Sequence, residues 1–283
     1  MKPARFDYAR PETLADALAL LDSHGDAARI LAGGQSLVPM LNLRLAAPAL
    51  LVDIGRLPGL DTIVEEERGI RVGALVRHAD LLAFSGRTGR DELLAAALPF
   101  VAHQAVRNRG TVCGSLALAD PASELPACAL CLDAEMTLVS CGGRRVLSAS
   151  DFFVGLYQTA LRPDEMIVDV AFPRLAGEWR FAFEEVCRRH GDFAMAGLAA
   201  AFRVEDGIVA ESRLAFFGVS DRPVRATLAE AAMSNRQVGD PTGAFDLSDV
   251  EVLDSSEYSA GYKRHLMAVL LRRAVGALAV TAP

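Results

Sequence analysis

Residues 30–44, ILAGGQSLVPMLNLR, run from a buried strand into two adjacent glycines and out again into apolar residues at helical spacing. Backbone N–H groups converge outward at such a strand-to-helix turn, and the helix start adds positive dipole, so a phosphate is well held there. Glycine permits positive φ and lets a pyrophosphate oxygen come close to the main chain, which gives Gly33 and Gly34 a reason to be bare. Gln35 and Ser36 add side-chain donors. A plain tight turn is the other reading of the same residues. The stretch lacks the G-x-G-x-x-G spacing of a Rossmann fingerprint, which disfavours nicotinamide binding in that fold.

The elements around this turn follow from periodicity. PETLADALALLDSHG (11–25) places Leu14, Ala17, Leu18 and Leu21 on one face of an amphipathic helix, with Pro11 near its start and Gly25 just past its end. Strands are expected at 28–32 and 49–54, with a short helix through Leu41 to Leu45 between them. TIVEEERGIRVGAL reads as two strands about a charged turn, with Val64, Ile70 and Val72 facing inward. Helices are expected at about 77–84, 91–104 and 124–132, a glycine-bearing segment at 110–115, and a hairpin at 136–148 turning at Cys141-Gly142-Gly143. Pro173 stops the strand in VDVAFPRL and a polar link leads to Trp179, so a boundary falls at about 175. Beyond it, residues 196–220 read as two strands around an Asp-Gly turn. Helices follow at about 223–235 and 256–277, with a loop from Gln237 to Ser248.

The 283 residues suit about two domains. At 52% apolar and 23% charged, the chain fills more than one core. Its net charge of -7 and lack of any basic run argue against nucleic-acid binding, which needs clustered cations. The longest uncharged apolar runs, 93–102 and 193–202, are too short to span a bilayer. No apolar stretch follows Lys2 and Arg5, so a cytoplasmic location is expected. Five cysteines, an odd number, fit reduced thiols.

A second donor-rich segment, RNRGTVCGSLALADPASELPA (107–127), changes the weight of the first. Gly110 and Gly114 bracket Thr111, and Ser115 adds a second hydroxyl able to bond phosphate or ribityl oxygens. Asp120, Ser123 and Glu124 follow at short reach, and carboxylates accept from sugar hydroxyls. Arg107 and Arg109 flank the segment, where they are either diphosphate partners or surface ion-pairing groups. Two such loops hold the ends of an extended dinucleotide better than one.

AGGQSLVPMLNLR and TVCGSLALADPASELP together resemble the paired flavin-binding motifs of the FAD-binding medium subunit of bacterial molybdenum hydroxylases, the carbon monoxide dehydrogenase and xanthine dehydrogenase family. RPETLADAL, LRPDEMIVDVAFP and CRRHGDFAMAG extend the resemblance over essentially the whole chain. It implies an α+β chain: a two-subdomain FAD-binding domain of the vanillyl-alcohol oxidase type over residues 1–175 (subdomains about 1–55 and 56–175), then a smaller α+β domain over 176–283. By resemblance Ala32, Gly33, Gly34, Gln35, Ser36 and Leu37 hold the pyrophosphate, and Thr111, Val112, Cys113, Gly114 and Ser115 lie against the phosphates and flavin. Asp120, Ser123 and Glu124 bind ribityl, ribose or nearby backbone. Met166 and Ile167 pass the flavin, and Phe193 lies over or beside its ring. The chain departs from the family at Cys113, where a glycine is common, and at Leu118, where a histidine is common.

The resemblance also implies partners. A large molybdenum-pterin subunit oxidises substrate, a small subunit relays electrons through two iron–sulfur clusters, and FAD in this chain passes them to an external acceptor, the whole assembling as a dimer of heterotrimers. A stand-alone FAD-dependent oxidase or reductase of the same fold is the alternative. No catalytic residue and no metal ligand set is assigned. Cys128 and Cys131 have C-x-x-C spacing without a second pair, and read as core residues. Cys113 reads as a small buried thiol. Of the five dispersed histidines, His24 is placed at a helix end and His103 near the second loop.

Overall fold

The computed structural model describes residues 2–88, 92–240 and 245–278. The N-terminal unit is a parallel sheet of β1 (Asp7–Ala9), β2 (Ala28–Leu31) and β3 (Leu50–Asp53), in the order β1-β3-β2. Between β1 and β2 runs α1 (Leu14–His24), which buries Ala17, Leu18 and Leu21. Thr13 caps it, its Oγ1 accepting from the Asp16 N–H at 3.1 Å, so the helix starts after Pro11. His24 ends it, with Nδ1 2.9 Å from the Leu20 carbonyl. Between β2 and β3 lies α2 (Leu37–Asn42), which begins four residues before the expected helix because the Val38 N–H already bonds to Gly34 O at 3.1 Å.

The central unit contains β4 (Ile63–Glu66), β5 (Gly69–Gly73), α3 (His78–Thr88), α4 (Glu92–Ala97), α5 (Gln104–Arg107), α6 (Val112–Leu118) and α7 (Glu124–Cys131), followed by β6 (Glu135–Ser140), β7 (Gly143–Ser148), α8 (Ala149–Phe152), β8 (Phe153–Gly155), β9 (Gln158–Thr159) and β10 (Met166–Pro173). Its antiparallel sheet has the order β4-β5-β10-β6-β7. Ile70 and Val72 face the core as expected, but Val64 does not. It is 48% exposed, because β4 is an edge strand and Val64 lies on the face opposite its neighbour Ile63, which packs on that core. The helix expected over 91–104 ends at Ala97, ahead of Pro99, whose predecessor is pushed out of helical geometry. The segment 110–115 is only partly loop: Thr111 Oγ1 accepts from the Gly114 N–H at 3.1 Å, so Gly114 and Ser115 already belong to α6. All eight residues of α7 are buried.

The C-terminal unit is an antiparallel sheet of β11 (Trp179–Val186), β12 (Ala196–Glu205), β13 (Ile208–Phe217) and β14 (Val224–Arg225) in that order. Asp206 and Gly207, both at positive φ, make the turn between β12 and β13. Helices α9 (Thr227–Met233) and α10 (Ala260–Ala277) cover one face, where Leu198, Ala200, Phe202, Leu214 and Phe216 pack with Met267, Leu270 and Leu271. The alternate residues Ala199, Ala201, Ala215 and Phe217 face the central unit and share one core with α4 and α7. Period-two alternation thus lets one sheet serve two cores. Part of the expected 237–248 loop, residues 241–244, lies outside the described residues. Among the described residues no helix is long and apolar enough to cross a membrane.

Candidate functional site

The turn after β2 lies at the carboxyl end of the parallel sheet, where α/β units leave a crevice. Gly34 has φ +71°, a conformation that glycine alone enters without cost. Gly33 is bare for another reason. A Cβ there would lie 2.3 Å from Arg109 O and 2.8 Å from Gly110 Cα, so the missing side chain lets the two loops touch, and not a ligand oxygen approach. The structure therefore replaces the first expectation for Gly33 and joins the two segments into one wall. Gln35 Nε2 donates to Gly33 O at 3.1 Å and stiffens the turn. Among the described residues no protein acceptor takes the N–H groups of Gly33, Gly34, Gln35 or Ser36. Four successive amides on the cavity wall are therefore left without a protein acceptor, a donor set of the kind that anion-binding nests use.

This wall faces a cavity of about 900 Å³ between the N-terminal and central units and the 191–193 turn of the C-terminal unit. The volume is at the upper end of the roughly 300–1,000 Å³ of ligand sites. Ala32, Gly33, Gly34, Gln35, Ser36, Leu37, Thr111, Cys113, Gly114, Ser115, Asp120, Ser123, Glu124, Met166, Ile167 and Phe193 all line it. Val112 does not: its side chain is fully buried in the core and its N–H bonds to Val76 O at 3.0 Å. Leu118 lies on the cavity wall, and Phe193, 68% exposed, stands at its rim.

The polar wall of the cavity is tightly positioned. Ser115 Oγ and Ser123 Oγ are 3.1 Å apart. Asp120 accepts from the Ala122 N–H through Oδ1 at 2.9 Å and from Tyr157 OH through Oδ2 at 3.0 Å. Burial and the Asp120 charge push the Tyr157 hydroxyl up to about 12. Glu124 is 5% exposed, and burial, with the charges of Glu185 and Asp120 behind it, pushes its carboxyl up to about 7. Glu165 is also buried, which alone would raise it. The Arg145 guanidinium, at 2.6 and 2.7 Å, and the Arg162 N–H, at 2.8 Å, outweigh that and hold it below the usual carboxylate range.

Several wall residues were not legible in the sequence. His78 starts α3 32 residues before Gly110, yet its ring packs against Gly110, lines the cavity and has neither nitrogen hydrogen-bonded. Burial drives its pKa down to about 4, so the imidazole is neutral. Tyr157, Arg162 and Glu165 come from the connection between β8 and β10, for which no periodic signal exists. The arginines that flank the second loop are not on the wall. Arg107 Nη1 donates to the carbonyls of Pro99, Val101 and Ala102 at 3.2, 2.9 and 2.8 Å, and Arg109 contributes its backbone carbonyl to the contact with Gly33. Cys113 is buried, with Sγ 3.8 Å from Val72 O, and burial raises its thiol. Cys128 and Cys131 are buried free thiols, and among the described residues no cluster of His, Cys, Asp and Glu is arranged for a metal ion.

Bare amides suit a diphosphate, Asp120, Ser123 and Glu124 suit hydroxyls, and Met166, Ile167 and Phe193 offer apolar surface to a flat ring. The residues fit a flavin dinucleotide. Residues 4–175 match the family model described as FAD binding domain in molybdopterin dehydrogenase, and residues 181–278 match that of the CO dehydrogenase flavoprotein C-terminal domain. The chain is similar to the 6-hydroxypseudooxynicotine dehydrogenase complex subunit alpha of Paenarthrobacter nicotinovorans, at 42% identity over 81% of this chain and 78% of the relative. It is 40% identical to the caffeine dehydrogenase subunit beta of a Pseudomonas species, over 92% and 88% of the two chains. A chain of the carbon monoxide dehydrogenase structure from Hydrogenophaga pseudoflava superposes with a TM-score of 0.92, covering 100% of both chains at 34% identity. Fold, cavity and these matches agree: the chain belongs to the FAD-binding medium subunits of the molybdenum hydroxylases, the oxidoreductase family of carbon monoxide dehydrogenase and xanthine dehydrogenase, with FAD as its cofactor.

Proposed function

We propose that this chain is the electron-transfer subunit of a molybdenum hydroxylase complex. It takes electrons from the iron–sulfur clusters of a small partner, which a large molybdenum-pterin partner supplies, and passes them to an external acceptor. FAD, when bound, supplies a ring that exchanges electrons singly or in pairs. The protein's share is to hold and orient it. In this reading the amides of 33–36 and the turn 111–115 grip the diphosphate, Asp120, Ser123 and Glu124 take the hydroxyl-bearing chain, and Met166, Ile167 and Phe193 border the ring. Residues 1–175 form the gripping domain and 176–283 the C-terminal domain.

The contact of Gly33 with Arg109 and Gly110 carries the reading, because it turns two loops 77 residues apart into one continuous cradle. Substrate choice then lies with the large partner, and the complex assembles as a dimer of heterotrimers. The test is co-purification from the native host with metal analysis, a visible spectrum and rapid-mixing kinetics. The expected result is a complex containing molybdenum and iron in which removing FAD stops transfer to the acceptor while substrate still reduces the metal centres. Substrate turnover by the isolated yellow chain would instead establish a self-contained flavin oxidase or reductase.

A further inference from the structure

Arg107 flanks the second loop in the sequence but turns its charge elsewhere. It closes α5, which His103 precedes, and its Nη1 donates to the carbonyls of Pro99, Val101 and Ala102 at 3.2, 2.9 and 2.8 Å. These three carbonyls belong to the turn that leads from α4 to α5. Ala102 stands there at φ +43°, a left-handed conformation that a residue with a Cβ keeps only where its surroundings fix it. One guanidinium nitrogen thus gathers the carbonyls on both sides of the strained residue, and the shape of the turn depends on it.

The same turn seats the C-terminal unit. A Cβ on Gly191 would lie 3.1 Å from Ala102 O and 2.6 and 2.7 Å from Cε1 and Nδ1 of His103, so the backbone of the 191–193 turn packs directly on residues 102 and 103. Beside this contact the Phe100 ring meets the edge of His190, with centroids 5.8 Å apart, and the Phe183 ring at 5.2 Å. The 191–193 turn is tied to its own stem, the Asp192 N–H bonding to Arg189 O at 3.0 Å and the Met195 N–H to Val186 O at 2.8 Å. Gly191, Asp192 and Phe193 all line the cavity. Phe193 is 68% exposed and is not fixed by burial of its own, so its place at the rim follows the backbone beneath it.

We propose that Arg107 is a positioning residue for the flavin ring: by fixing the 99–102 turn it sets where the 191–193 turn docks, and with it where Phe193 meets the cofactor, without touching the cofactor itself. The inference rests on the reading above, in which Phe193 borders the ring. A second route from Arg107 to the cavity exists, because α5 runs straight into the second loop, where the Gly110 N–H bonds to Val106 O at 2.7 Å. An effect carried by that route disturbs the diphosphate cradle, whereas an effect carried by the 191–193 turn disturbs only the ring end. ADP separates the two, since it has the adenosine diphosphate half of FAD and no ring.

The test titrates the full chain with FAD and with ADP, as the parent, Arg107→Met, Phe193→Ala and the double variant. Arg107→Met should weaken FAD by about two- to tenfold, as Phe193→Ala does, and leave ADP affinity unchanged. The double variant should bind FAD no worse than the weaker of the two single variants, because both changes remove one and the same contact. Arg107→Lys, which keeps a donor for the carbonyls, should recover most of the affinity. Gly191→Ala displaces the same turn with Arg107 intact and should reproduce the pattern, which covers the case in which Arg107→Met does not fold. ADP affinity that falls together with FAD affinity, FAD losses that multiply in the double variant, or parental FAD affinity in Arg107→Met overturns this inference alone. A chain that takes up FAD neither by itself nor within its complex overturns the functional reading as well.

Discussion

Replacing Gly33 by alanine would put a methyl carbon 2.3 Å from Arg109 O, 2.8 Å from Gly110 Cα and 3.0 Å from Arg109 C. Non-bonded contacts relax to roughly 3.5 Å, so the two loops must part by about 1 Å. All three opposing atoms are backbone. They are also anchored: the Gly110 N–H bonds to Val106 O at 2.7 Å, Gly110 O accepts from the His78 N–H at 3.1 Å, and the Val112 N–H bonds to Val76 O at 3.0 Å. Overpacking of this kind costs about 1–3 kcal/mol. For a chain of this size that lowers Tm by about 2–10 °C. The unpaired amides then move away from the Thr111 turn, and FAD affinity should fall by about tenfold or more, equivalent to about 1.4 kcal/mol. Gly34→Ala is the control, since its nearest neighbours are the mobile side-chain atoms Leu31 Cδ1 and Val38 Cγ2, and it suffers mainly the left-handed backbone, about 1–2 kcal/mol. Thermal melts of the FAD-free chain and flavin fluorescence titrations read both quantities. A Gly33→Ala chain that melts and binds FAD as the parent does would refute the loop contact as the reason for the glycine.

Phe193→Ala should leave stability within about 0.5 kcal/mol, because the residue is largely exposed, yet weaken FAD by about 0.5–1.5 kcal/mol if the ring packs on it; melts and flavin titrations should therefore diverge. Glu124 is raised to about 7, so its contribution is fully present below about pH 4.5 and is lost as pH rises through 7, by about 3 kcal/mol at most. Urea midpoints should show Glu124→Gln gaining on the parent across that window. His78 acts with the opposite sign: lowered to about 4, it makes the folded state bind fewer protons, and it destabilises the fold as pH falls from about 6.5 to 4, a dependence that His78→Asn should lose. Brief alkylation of the native chain followed by mass mapping should label Cys141, which is exposed, and leave Cys113, Cys128 and Cys131 untouched; rapid labelling of the latter three would contradict their burial.

What the sequence by itself determined is what short-range physics writes into consecutive residues. The apolar stripe of α1, the Asp206-Gly207 hairpin and the two donor-rich segments each follow from spacing within one stretch of chain, and the paired motifs were enough to suggest the cofactor. Tertiary structure decided the rest, because burial and charge depend on segments far apart in sequence. Thr111 became a helix cap, Arg107 was drawn to the carbonyls of Pro99, Val101 and Ala102, and Val64 turned to solvent on an edge strand. His78 reached the cavity, Glu185 was brought to bear on Glu124, and Arg145 found Glu165. Even Gly33, visible from the start, had its reason in Arg109 and Gly110: a missing side chain shows that space is needed, and only the folded chain shows which atoms need it.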